Sequence, residues 1–125
     1  MARNGDTLIE WAGEKRLFRL GWAELEGLQE ACDCGPHFVL AHLQSATARV
    51  EYILEPLRWG LIGGGMSQAD ADALVEEGVK GKPWDLSNNL ATALVVMLAA
   101  LMGAEDEPPK KSKAAADAPP SREGK

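Results

Sequence analysis

Leu57-Arg58-Trp59-Gly60-Leu61-Ile62-Gly63-Gly64-Gly65-Met66-Ser67 constrains the fold more than any other stretch of this chain. An amphipathic apolar pattern runs into three consecutive glycines and restarts at a serine. That order predicts a helix end, a hinge built from Gly63, Gly64 and Gly65, and a new helix start. A phosphate loop would need a Lys-Ser or Lys-Thr pair after the glycines, and Met66-Ser67 supplies neither. The glycines are therefore read as architecture.

The segments on either side extend this helical reading. Val50, Ile53, Leu54, Leu57 and Leu61 form a stripe at helical spacing, although Ala48 to Ile53 also alternates like a strand. The stripe continues to the glycines, so a helix is favoured. Pro56 should kink it, unless the helix starts near Glu55. Ser67, with Asp70 three residues on, predicts an N-cap and a helix to about Val79. Lys80 to Pro83 reads as a linker, with Asp85 or Ser87 capping a last helix. Its apolar face is broad, from Leu86 through Leu90, Ala93, Leu94, Met97, Leu98 and Leu101, and Gly103 ends it.

Upstream, Thr7 to Trp11 and Arg16 to Leu20 flank Ala12-Gly13-Glu14-Lys15 and predict a β-hairpin. An isolated hairpin is marginal in water, so one face should pack on helices. Trp22, Leu25, Leu28 and Cys32 mark one helix face, closed by Asp33-Cys34-Gly35-Pro36 with Gly35 as a left-handed cap. Phe38, Val39, Leu40 and Leu43 predict a short second helix. The expected class is α+β and mostly helical: an N-terminal hairpin, four to five helices, one domain over 1–103, and a disordered tail over 104–125 that is poor in apolar residues.

Charge narrows the function classes. The chain has 125 residues and a net charge of −6. Its last 22 residues balance, so the excess acid belongs to the folded part. Nucleic acid is a poor partner for such a surface. The longest apolar stretch, Leu90 to Met102, is shorter than the ~20 residues a membrane helix needs. No apolar leader stands at the start, and Cys32 and Cys34 are too close for an unstrained disulfide. A soluble protein in a reducing cytoplasm is expected.

Chemistry-bearing residues are few. Cys32, Cys34, His37 and His42 are zinc-ligand types, but Cys-x-Cys is tighter than the usual ligand spacing. No oriented base or oxyanion site marks a nucleophile. The expectation is no metal, no cofactor and no catalysis. Four tryptophans offer binding anchors instead. Trp11 and Trp22 read as core, and of Trp59 and Trp84 one is expected to face a partner. The last helix is apolar over more than a stripe, which a small domain cannot wholly cover. Trp59, Trp84, Leu90, Leu94, Met97 and Leu101 are the candidate partner-binding residues, and a homo-oligomer remains open.

From Gly5 to Gly103 the chain resembles a family of small phage-tail proteins of gene transfer agents, also described as phage tail tube or tail assembly chaperone proteins. The resemblance rests on Gly5, Gly13 and the run Phe18-Arg19-Leu20-Gly21-Trp22-Ala23-Glu24-Leu25-Glu26-Gly27-Leu28-Gln29-Glu30. It continues through Asp33, Gly35-Pro36, Arg49-Val50, Ile53, Arg58 and Gly60 to Met66. Ala69, Ala73, Leu74, Val75, Pro83, Ala91, Ala93, Leu94, Met97, Ala99 to Leu101 and Gly103 complete it. The resemblance implies a role in building a phage-like tail. It implies a chaperone that covers the helices of the tape-measure protein until the tail tube protein polymerises around it, or else a structural tube subunit. A small zinc-binding regulator is the reading from another class.

Overall fold

The computed structural model describes residues 6–102. The expected tail over 104–125 and the end of the last helix at Gly103 lie outside them. Two antiparallel strands, β1 (Asp6–Trp11) and β2 (Glu14–Arg19), precede α1 (Trp22–Cys32), α2 (Pro36–Gln44), α3 (Val50–Gly63), α4 (Gln68–Lys80) and α5 (Leu86–Met102). This is the α+β, mostly helical arrangement expected from the sequence, with five helices.

The hairpin turns through Ala12 (φ 53°) and Gly13 (φ 88°). Two successive positive φ values make the two-residue turn whose twist matches that of paired strands. Register runs from Trp11 opposite Glu14 to Asp6 opposite Arg19. Trp11 and Phe18 face inward and meet edge to face, with centroids 6.1 Å apart.

α3 is the central element. It packs against α1, β2, α4 and α5. Tyr52, Ile53, Pro56, Leu57, Gly60 and Leu61 are its buried residues. The helix starts at Val50, with Pro56 in its interior, so a start near Glu55 is incorrect. A proline there costs roughly 3 kcal/mol. Burying Tyr52, Ile53 and Leu57 on one helical face gains roughly 1.5–3 kcal/mol for each large apolar side chain, which exceeds that cost.

Two other expectations change. Gly35 is not the left-handed cap of α1; Asp33 adopts that conformation (φ 58°, ψ 35°), and its N–H bonds to Gln29 O. Aspartate tolerates this region better than most residues. Gly35 instead precedes α2 as its extended N-cap, and Pro36 opens that helix. Trp22 is not core: it is 78% exposed. It is the first residue of α1, and helical side chains tilt toward the N-terminus, so its ring overhangs the helix end. Its indole N–H donates to Glu26 at 3.2 Å.

Gly63 and Gly64 do more than join helices. A Cβ on Gly63 would stand 1.8 Å from Arg19 O, and one on Gly64 would stand 2.1 Å from Leu17 O. The glycines lie directly on the outer carbonyls of β2 and dock the hairpin on the end of α3. Only Gly65, at φ 115°, supplies the turn itself. Ser67 then caps α4, accepting from Asp70 N at 3.1 Å. Of the two candidates for capping α5 it is Asp85 that does so, accepting from Asn88 N at 3.0 Å.

One buried polar residue fixes how β1 meets α5. Trp11 Nε1 donates to Asn89 Oδ1 at 2.8 Å, and Asn89 Nδ2 donates to Asp85 O at 3.1 Å. Asn89→Leu keeps the branched shape of the side chain and removes both bonds. The stranded indole N–H sets the expected loss at about 1–3 kcal/mol, read as a lower midpoint in urea unfolding. A midpoint unchanged from the native protein would show that water replaces the amide.

Candidate partner-binding surface

α5 spans seventeen residues without a single charged side chain. Asn89, Ala93, Val96 and Met97 recur at helical spacing and form its inner face. Met97 is fully buried, so it belongs to the core and leaves the set of candidate contact residues. Its position at the centre of the inner stripe is the reason. Leu90, Leu94, Leu98 and Leu101 are half-buried against the core. Val95 (46%) and Met102 (66%) are exposed. The 100° step per residue puts Leu94, Leu98, Val95 and Met102 on the side of the helix away from the inner stripe.

The two candidate tryptophans are in different places. Trp84 is 70% exposed on the connection between α4 and α5, next to Lys82 and Pro83, with which it lines a shallow depression. Its indole N–H donates to Lys80 O at 2.7 Å, closing the end of α4. Trp59 is half-buried against α1, where a Cβ on Gly27 would lie 2.5 Å from its ring. The Arg58 guanidinium stacks over it at 4.9 Å and also pairs with Glu55 and Asp72. Trp59 Nε1 is buried and finds no acceptor among the described residues. It is a packed residue of the α1–α3 interface.

The sequence reading missed the helical glycines that receive aromatic rings. Gly78 takes Trp11, Gly60 takes Phe18 and Gly27 takes Trp59. Glycine inside a helix otherwise costs stability, so each of these was a signal of close approach. The reading also missed the exposure of Leu8, Trp22 and Phe38, and of Val50 and Leu86, which it had placed on apolar helix faces. Phe38 stacks on His42 at 4.4 Å, and both contact Tyr52.

The four zinc-ligand types have other surroundings. Cys32 is buried and its thiol donates to Glu51 O at 3.8 Å. His42 Nδ1 stands 2.8 Å from Thr47 Oγ1. Among the described residues no group of three or more His, Cys, Asp and Glu is arranged to hold a metal ion. Burial, and then the charge of Glu55, push the Cys32 thiol up to about 12. At pH 8 a thiol-alkylating reagent should modify Cys34 readily and Cys32 only after unfolding. The sign for stability follows: the unfolded thiol ionises first, so Cys32 stabilises the native state below about pH 9 and loses that contribution as pH rises toward 12. Mass spectrometry of the alkylated protein checks the first point. Equal labelling of both thiols would contradict it.

No helix among the described residues is long and apolar enough to cross a membrane. The surface is thus an uncharged helix flank, with an exposed tryptophan on the connection just before the same helix, on an otherwise acidic body. No curated protein and no solved structure matches the chain. A family described as phage tail tube protein, GTA-gp10, matches residues 4–103, which take in both strands and all five helices. On that match, the chain belongs to the phage tail tube protein family of gene transfer agents.

Proposed function

We propose that this protein assists tail assembly by holding the tape-measure protein, a long helical polypeptide, on the outer flank of α5 before the tail tube protein closes around it. The observation that carries the reading is the uncharged flank of α5, with Val95 and Met102 exposed beside half-buried Leu94, Leu98 and Leu101. An amphipathic helix is the natural occupant of such a surface, because its apolar stripe matches the flank in length and period. Trp84 and Leu90, nearer the start of α5, extend the contact. On this reading the protein acts in the host bacterial cytoplasm, as a binder and not as an enzyme.

The family description favours a second reading, a structural subunit of the tail tube. The two-stranded sheet supports it less well, because a ring of subunits joined by sheets needs more strands than this hairpin offers.

Co-expression with the tape-measure protein of the same particle separates the readings. The native protein should co-purify with it, and a Val95→Asp, Met102→Asp double variant should lose capture while keeping its melting temperature. Both residues are exposed, so the fold has little to lose. Finished particles analysed by mass spectrometry should then lack the chain. Its presence in stoichiometric amounts would establish the tube reading instead.

A further inference from the structure

We propose that the free edge of β1 is a docking site for an extended segment of a partner protein that carries lysine or arginine on both sides of an apolar residue. This site stands apart from the α5 flank and does not rest on it. The residues next to a two-residue turn exchange backbone hydrogen bonds, and bonded pairs then alternate along the ladder. With Trp11 opposite Glu14 as the first pair, Ile9–Arg16 and Thr7–Phe18 are the others. The backbone groups of Leu8 and Glu10 therefore point away from β2, as do those of Leu17 and Arg19. The outer edge of β2 bears this out, since the carbonyls of Leu17 and Arg19 are the ones that meet Gly64 and Gly63.

The two edges differ in cover. α3 closes the edge of β2. On the β1 edge, no backbone or side-chain hydrogen bond reaches the outward groups of Leu8 or Glu10 among the described residues. Leu8 is 65% exposed. Proteins usually protect such an edge with lysine, proline or a bulge. β1, Asp-Thr-Leu-Ile-Glu-Trp, has no lysine, no proline and an unbroken register.

Charge selects the occupant. On one face of the hairpin, Asp6, Leu8 and Glu10 stand opposite Arg19, Leu17 and Lys15; Leu8 and Glu10 are exposed, whereas Asp6 is buried and paired with Arg19. An acidic–apolar–acidic strand already pairs with a basic–apolar–basic one, and Arg19 bonds Asp6 at 2.7 Å. A second copy of β1 laid antiparallel about Leu8 would set Asp6 against Glu10, and like charges directly opposite are destabilising. A second copy of β2 has its outer edge covered by α3. Glu10 forms no ion pair among the described residues. Over residues 6–102, Asp and Glu outnumber Lys and Arg by fourteen to seven, so the surrounding field also favours a cation. The third strand that fits is a foreign one with the pattern of β2.

The test uses the full-length protein and two labelled heptapeptides, Thr-Lys-Thr-Leu-Thr-Arg-Thr and its acidic counterpart Thr-Glu-Thr-Leu-Thr-Asp-Thr. In fluorescence anisotropy the cationic peptide should bind at least about tenfold tighter, and amide exchange at Leu8 should slow when it does. Leu8→Pro removes only an outward N–H and leaves the ladder to β2 intact, so it should abolish binding with little change in melting temperature. If that variant unfolds, Glu10→Lys decides, and it should weaken the cationic peptide by a similar factor. The Val95→Asp, Met102→Asp variant should bind the peptide like the native protein, so failure at one surface is distinguishable from failure at the other. Equal binding of both peptides, protection away from β1, or a dimer whose protected amides are those of β1 would overturn the proposal.

Discussion

Gly63→Ala is expected to destabilise the protein by about 3 kcal/mol or more, although alanine is the better helix former. The gain in helix propensity is at most about 1 kcal/mol. Against it stands a methyl group placed 1.8 Å from Arg19 O, a backbone atom that cannot rotate aside. Relief requires the whole hairpin to lift from the end of α3. Gly64→Ala meets Leu17 O in the same way, at 2.1 Å. Neither glycine has a positive φ, so strain at the residue itself is not the cause. The contrast is Gly35→Ser, where a Cβ meets nothing within 4 Å and the residue precedes a helix. Serine is at least as good as glycine at that position, so the expected change is within a few tenths of a kcal/mol. Thermal unfolding followed by circular dichroism reads all three. A Gly63→Ala protein that melts with the native one would mean the hairpin is not held there.

The second large effect is at Phe18. It is completely buried, meets Trp11 edge to face, and rests on the gap left by Gly60. Phe18→Ala should cost about 3–5 kcal/mol. A small domain has only about 5–15 kcal/mol in total, so the variant should be near its threshold at 37 °C. At roughly 4–8 °C per kcal/mol for a body of this size, the midpoint falls by well over 10 °C. A second substitution identifies the mechanism. A Cβ on Gly60 would lie 3.0 Å from the Phe18 ring and 3.3 Å from Val96. Gly60→Ala should therefore destabilise the native protein and be neutral or stabilising in the Phe18→Ala background, where it fills part of the cavity. The two changes should couple by roughly 0.5–3 kcal/mol, the range for residues in contact. Simple additivity would show that the ring does not rest on Gly60.

These two positions also show what kind of information the sequence carries. The hairpin was legible because its turn and alternation are local. So were the start of α4 at Ser67 and the last helix, whose signals lie within a few residues of one another. Trp22 was misread because periodicity assigns a face without saying whether anything stands opposite it. Asp33 took the left-handed position that Gly35 was expected to fill, since several residue types satisfy that geometry. Of the candidate contact residues, Leu90, Leu94 and Leu101 lie on the margin of the core, Trp84 is exposed, Trp59 is packed on α1, and Met97 is interior. One helical stripe contained interior and margin alike, and only the packing of neighbouring elements separates them.

By itself the sequence determined the class of elements, their order, and an acidic helical body joined at three glycines. These follow from backbone preference and apolar spacing, which act over one or two turns. The tertiary structure alone decided what the glycines do: two of the three at the junction, and those within α1, α3 and α4, are small so that a strand or an aromatic ring can approach. It also decided that β2 is closed on its outer side by α3, while no hydrogen bond among the described residues reaches the outward groups of Leu8 and Glu10 on β1. Such facts depend on which distant atoms share a volume, and no local pattern encodes that.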